Sequence, residues 1–361
     1  MHDQPIGNVV FNPSAAVLRK GGNVHLDVYI VRRDGFNGEV IVRAEGVPKG
    51  VSSTEVVLGP GQVYAPLVLS AAEDAPTGFA QIRVVAKAEI GGKTVEREAR
   101  YPVVVWTYNP GTNNPAMSRL ARTAYCSVID EQAPYTLTAE PTTLEVARGL
   151  PATVKVKVTR RTGFAGPVNT IGAMVLPRNV RNATVNIANN ATEATLRFQT
   201  TVNTPVGRYS LALRGVAPVP YTKDPSGKNK RNTNVYAPSN NILLVIVDPF
   251  AVTQKGSPWT VGVGQTADVA LTIERRGGFK GDVQLQFLNL PGGVSIANTT
   301  AKGDSKEVTV QVKAADSAKP GDYRAVVRAQ ARVGNQNFRQ DFPLLLKVVP
   351  KGAESKAKAG K

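Results

Sequence analysis

The chain has 361 residues, a formal net charge of +17, two histidines and one cysteine. A single cysteine excludes an intrachain disulfide, and two histidines are too few for a convincing Ser-His-Asp triad or multi-histidine metal site. No apolar run reaches the length of about 18 residues that a membrane span needs.

With 33 Gly, 25 Pro and 6% aromatic residues, the composition is that of short strands separated by turns. The opening Met1-His2-Asp3-Gln4-Pro5 lacks a basic start and an apolar stretch, so it reads as a cut inside a longer protein or as an expression scar. Between Asn23 and Val31, Val24, Leu26, Val28 and Ile30 alternate with His25, Asp27 and Tyr29, the period of a half-buried strand. That strand runs into Arg32-Arg33-Asp34-Gly35-Phe36-Asn37-Gly38-Glu39-Val40. The same phrase returns from Arg160 to Val168 and from Arg275 to Val283, each time after an alternating strand. Intervals of 128 and 115 residues are those of a small domain.

The phrase predicts a tight connection between antiparallel strands, with glycines taking backbone angles closed to other residues and Phe36, Phe164 and Phe279 plugging the core. Adjacent arginines point to opposite faces, so Arg33, Arg161 and Arg276 offer one matching site per copy, with cross-strand charge pairing as the preferred use. Beyond the phrase, Pro48, Pro177 and Pro291 each precede a Val, and a Gly turn follows at Gly78, Gly207 and Gly321. About seven strands per copy give an all-β chain of three tandem immunoglobulin-like antiparallel β-sandwich domains.

Gly35–Ser52 (GFNGEVIVRAEGVPKGVS) and Gly278–Ser295 (GFKGDVQLQFLNLPGGVS), with the Pro-Gly turns that follow, carry a family resemblance. The wording resembles the immunoglobulin-like modules of large exported bacterial proteins, of the kind that accompany pre-peptidase C-terminal domains. The resemblance implies export, to the extracellular space, periplasm or cell envelope, and an accessory role without catalytic residues.

In chain order, the expected organisation is a first sandwich over 1–108, a linker or bridging segment over 109–132, a second sandwich over 133–248, a third over 249–350, and a basic disordered tail over 351–361. Met117–Arg122 is the one candidate turn of helix. Ser118–Gln132 is expected to pack along the joint, and Cys126 to be a buried, inert thiol. In the second copy, alternation is poor over Asn169–Val175, and an inserted loop spans 218–241. Long loops at sandwich ends favour binding, which makes Tyr221, Lys223, Lys228, Lys230, Arg231 and Tyr236 candidate contacts. Trp106 and Trp259 are candidates for sugar stacking, with buried packing as their commoner fate.

No phosphate loop, calcium loop or zinc motif occurs, and the closest acid pairs, Glu73-Asp74 and Asp130-Glu131, read as solvated turns. No enzyme activity and no cofactor follow from this inventory. The expected function is a structural or spacer array within a larger exported protein, whose partners are the other domains of that protein. The alternative is an adhesive module for polysaccharide or other polyanions. The basic charge is spread along all copies, with no motif for specific nucleic acid binding.

Overall fold

The computed structural model describes residues 6–106, 117–161, 163–222, 226–227 and 230–352, with backbone alone for 104–106 and 117–118. Every regular element among them is a strand. The first copy holds β1 (Ile6–Asn12), β2 (Ala15–Lys20), β3 (Asn23–Arg32), β4 (Val40–Glu45), β5 (Val51–Ser53), β6 (Val56–Leu58), β7 (Tyr64–Ala71), β8 (Gly78–Ile90), β9 (Lys93–Glu98), β10 (Tyr101–Trp106), β11 (Met117–Ala121) and β12 (Ala124–Gln132). The second holds β13 (Tyr135–Glu140), β14 (Thr143–Ala147), β15 (Pro151–Arg160), β16 (Val168–Ala173), β17 (Arg181–Asn182), β18 (Val185–Ile187), β19 (Glu193–Gln199), β20 (Gly207–Tyr221) and β21 (Arg231–Val247). The third holds β22 (Phe250–Lys255), β23 (Trp259–Gly262), β24 (Thr266–Arg275), β25 (Val283–Leu288), β26 (Val294–Ile296), β27 (Thr299–Ala301), β28 (Glu307–Ala314), β29 (Gly321–Val333) and β30 (Gln336–Val349).

Alternation builds these strands. In β25 the side chains of Val283, Leu285 and Phe287 are buried, while Gln284 between them is exposed. The third copy pairs β22-β24-β28-β26 in one sheet and β23-β30-β29-β25-β27 in the other. That is the four-stranded and the G-F-C-containing sheet of an immunoglobulin-like sandwich, with one core cluster drawing on both. The second copy repeats the order as β13-β15-β19-β17 and β14-β21-β20-β16-β18, and the first as β1-β3-β7-β5 and β2-β12-β8-β4-β6. Where the second strand of a copy meets the last, as with β2 and β12 or β23 and β30, the pair runs parallel.

Three expectations need correction. The phrase does not join paired strands: β3 lies in one sheet and β4 in the other, so it turns a corner between sheets. Ser118–Gln132 is no bridging piece and has no helical turn. Its larger part is β12, hydrogen-bonded between β2 and β8 with Ala124, Cys126 and Val128 buried in the first core. The cause is the 13-residue β8, whose far half pairs with β9 and whose near half, Gly78–Ile82, is left for β12. The third correction concerns 218–241, which is no loop but the outer half of a ribbon, with β20 and β21 paired as far as Tyr221 and Arg231. The poor alternation of Asn169–Val175 corresponds to register shifts in β16 against both neighbours. Of the expected tail, Lys351 and Gly352 are described, and 353–361 lie outside the described residues.

The chain groups into two compact units, one of residues 1–145, 151–200 and 204–246, the other of 146–150, 201–203 and 247–361. The first and second sandwiches therefore share a unit.

Candidate functional site

The repeated phrase is built around its first arginine, the last residue of β3, β15 and β24 in turn. Arg32 donates to the carbonyl oxygens of Gln62 at 2.9 Å, Gly38 at 2.5 Å and Gly59 at 2.8 Å. Arg160 donates to Gly166, Ala191 and Ala188 at 2.9, 2.6 and 2.7 Å. Arg275 donates to Gly281 at 3.0 Å, Ser305 at 2.5 Å and Lys302. The planar fork thus ties the glycine after the Phe to the turn that follows β6, β18 or β27, three short strands further along the chain.

A backbone bond of 2.9–3.0 Å from the Phe N–H to the second arginine's carbonyl closes the turn. Asp34 and Gly35 have φ of 52° and 71°, Gly277 and Gly278 have 54° and 80°, the pair of positive angles of a primed turn. The second glycine has another reason. A Cβ on Gly38, Gly166 or Gly281 would lie 2.6–2.8 Å from the ring of the phrase's Phe. Phe164 packs on Tyr135 and Phe279 on Phe250, with centroids 5.8 and 5.9 Å apart, while the half-buried Phe36 lies under the Arg32 guanidinium. The second arginines form no matching set: Arg161 binds Glu73 at 2.7 Å, Arg276 pairs with Glu274, and Arg33 lies beside Gly7.

Within the first unit, side chains of the second sandwich complete open sheet edges of the first. β5 is three residues long and leaves Pro66 and Val68 of β7 unpaired on that side. Asn241 fills both places, accepting from the Val68 N–H at 3.2 Å and donating to the Pro66 carbonyl at 2.8 Å. On the edge strand β6, the Val57 N–H donates to Ser210 Oγ at 2.8 Å. Asn23 donates to the Pro238 carbonyl at 3.2 Å, and Arg208 pairs with Glu39 at 3.0 Å. Gly59 admits this approach, since a Cβ there would stand 2.3 Å from the Arg208 carbonyl. Gln62, Ser210 and Asn241 are among the few buried polar residues described, and all three lie at this joint.

The ribbon separates the candidate contacts predicted on it. Tyr221 faces Arg231 across the pair, and Tyr236 faces Val216, one residue out of phase. Side chains alternate, so Tyr221 with Arg231 lies on one face and Tyr236 on the other. Tyr221 and Tyr236 are 51% and 60% exposed, and Lys230 is exposed near the tip. Lys223 and Lys228 lie outside the described residues.

Tyr236 instead meets Arg214, whose guanidinium carbon is 5.4 Å from its ring centroid. The Arg214 charge reaches His25 and Tyr64 on the outer face of the first sandwich, where Tyr64 donates to Asp27 at 2.5 Å and its ring lies 4.9 Å from that of Tyr29. Burial lowers the His25 pKa, with Asp27 opposing and Arg214 adding to the shift. Burial and then the bond to Asp27 raise that of Tyr64. Position in the sequence does not disclose this grouping, which joins residues some 200 positions apart.

Trp259 is 3% exposed, and its Nε1 donates to the Lys255 carbonyl at 3.0 Å, so it packs in the core and offers no sugar platform. The Trp106 side chain lies outside the described residues. Cys126 is fully buried, and burial pushes its thiol up to about 11. Of the acid pairs, Glu73 binds Arg161, Asp130 binds Lys20 and Glu131 binds Arg19. Among the described residues, no three His, Cys, Asp or Glu are grouped as metal ligands, and no helix is long and apolar enough to cross a membrane.

No family model matches the chain, and no curated protein matches it. Among solved structures it is similar to the D1–D4 ectodomain fragment of ICAM-5, at 13% identity and a TM-score of 0.21, over 94% of this chain and 77% of that one. It is also similar to the I9–I11 tandem of titin, at 10% identity and a TM-score of 0.23, over 95% and 99%. Domains 1–6 of the surface layer protein SbsC give 11% identity and a TM-score of 0.27, over 96% and 54%. Likenesses of this strength bear on neither role nor partner, and the strand order itself identifies the sandwiches.

Proposed function

We propose that the chain is a non-catalytic structural array within a larger exported bacterial protein, holding neighbouring domains in place at the cell envelope. The observation that carries this reading is the joint inside the first unit. A flexible tether between two sandwiches has no use for buried side chains that satisfy the neighbour's backbone, whereas a spacer of fixed geometry does. Asn241 and Ser210 do this on both sheets of the first sandwich.

Hydrogen exchange followed by mass spectrometry on the full chain tests the proposal. β6, β7, β20 and β21 are expected to open in one cooperative event. In the Ser210→Ala, Asn241→Ala double variant, which leaves Val57, Pro66 and Val68 unsatisfied, the first and second sandwiches are expected to open separately, at a cost of about 2–4 kcal/mol to the joint. Separate opening in the unmodified chain would overturn the reading.

A further inference from the structure

A groove of about 920 Å³ lies in the second unit, over the outer face of β27, β25, β29 and β30. Its floor is a row of register partners, Thr300, Gln284, Gln330 and Arg339, one from each strand. At the usual strand spacing that row is about 14 Å long. Gln330 donates to Gln284 at 2.8 Å, leaving the Gln284 amide nitrogen free to donate and Gln330 free to accept. In the next row Lys302 holds Asp282 at 3.1 Å, and Arg332 stands beside it. Arg332 and Arg339 are exposed and stand outside the ion pairs of this face, where Asp341, held by Arg328 at 2.9 Å, also feels the Arg339 charge.

The corresponding face of the first sandwich, on β4, β8 and β9, has spent its charge. Arg43 pairs with Glu45 at 2.8 Å and Glu96 at 3.3 Å, and Arg83 with Glu45 at 3.4 Å and Glu98 at 3.2 Å. The position of Gln284 after the phrase is held by Ile41 in the first copy and Asn169 in the second. One scaffold therefore carries a self-neutralised face in one copy and a cationic, amide-floored groove in another.

We infer that this groove binds an acidic polysaccharide, with the forks of Arg332 and Arg339 taking carboxylates of uronate units and the Gln284–Gln330 pair taking ring hydroxyls. A guanidinium presents two parallel donors that match a carboxylate. Amides that both donate and accept match vicinal hydroxyls. The groove's one aromatic, Phe338, is 4% exposed and lies under Arg148 at 4.7 Å, so no ring is presented for base stacking, which disfavours single-stranded nucleic acid. The site goes beyond the array reading, which stands unchanged if the groove is inert.

The test is calorimetric titration of the full chain with a hexamer of galacturonate at 0.15 M salt. Three parallel arms use the carboxyl-reduced neutral hexamer, an oligothymidylate of matched length, and the full chain carrying substitutions. The galacturonate hexamer is expected to bind, and the neutral hexamer and oligothymidylate to bind at least tenfold more weakly. Arg332→Ala with Arg339→Ala is expected to weaken binding at least tenfold. Gln284→Ala with Gln330→Ala is expected to weaken it at least threefold without changing its salt dependence, and Arg43→Ala with Arg83→Ala to leave it unchanged. Thermal unfolding of each variant confirms that the substitutions do not disturb the fold. No binding of the galacturonate hexamer, equal binding of the neutral hexamer or oligothymidylate, or insensitivity to the groove variants would each overturn the inference.

Discussion

Arg275 and Arg276 are neighbours in the chain and opposites in their work. Arg275 spends its fork on carbonyls of two turns, while Arg276, just past the end of β24, pairs with an exposed glutamate two residues back. Hydrogen bonds from a charged donor to backbone are worth more than an exposed ion pair. Arg275→Ala is therefore expected to cost about 2–3 kcal/mol in chemical denaturation, and Arg276→Ala under about 1 kcal/mol. Lysine at 275 should recover little, because it has no fork. Equal costs at the two positions would refute the clamp. Both arginines recur in every copy, so repetition in the sequence cannot distinguish them; the difference arises from which one ends its strand at the corner. Arg161 and Arg276 are charge-paired, but not across neighbouring strands as expected: Arg161 reaches Glu73 of the first sandwich and Arg276 pairs with Glu274 two residues back, while the recurrent structural role falls to the other arginine. Titration gives a second prediction at this scale. The His25 pKa is lower folded than its ordinary 6.5, with burial as the main cause, Asp27 opposing and Arg214 reinforcing, and Tyr64 bonded to the same Asp27. The unfolded chain then takes up the proton first, so this contribution to stability is present above about pH 6.5 and is lost as pH falls below it. Denaturation midpoints of the first unit should fall from pH 6.5 to 5, and His25→Gln should flatten that slope.

Among elements, β12 makes the clearest case. It lies between β2 and β8 and puts Cys126 in the first core, so a chain ending at residue 108 would expose two strand edges and an open core. Such a chain is expected to aggregate, whereas one ending at residue 132 should give a single cooperative unfolding transition by circular dichroism. In the full chain, Cys126 should resist a thiol-reactive reagent until β12 opens, since the thiol is buried and its pKa is pushed up to about 11. Modification at the rate of an exposed thiol in native buffer would contradict that placement. The period-two pattern made most strands legible in sequence, because a half-buried strand writes its burial directly as alternation. β12 has the same pattern, Ala124, Cys126 and Val128, but Lys93–Val105 already supplied a last strand. Only the shared pairing of the long β8 makes room for both. The ribbon was illegible for another reason. Pro218, Pro220 and a run of asparagines carry turn composition, yet fourteen register pairs continue through them, and that pairing sends Tyr221 and Tyr236 to opposite faces.

Across the whole molecule the net charge of +17 acts in two ways with different ranges. Summed over the surface it attracts any polyanion at low salt, and that attraction fades as the screening length shortens to about 8 Å at 0.15 M. A site that holds specific carboxylates by hydrogen-bonded forks keeps part of its affinity there, because its contacts are shorter than the screening length. Lys49 and Lys93 are exposed on the first sandwich, so Lys49→Glu with Lys93→Glu lowers the net charge by four without touching the groove over β25, β29 and β30. Retention on a sulfated resin at 0.02 M salt is expected to fall in this variant, while the affinity for a galacturonate hexamer at 0.15 M stays within twofold. A proportional fall in both would mean that the charge acts only collectively and that no copy owns a binding face. Retention lost with affinity kept would assign the general attraction to the array and the selectivity to the third copy, whose outer face keeps Arg332 and Arg339 outside its own ion pairs.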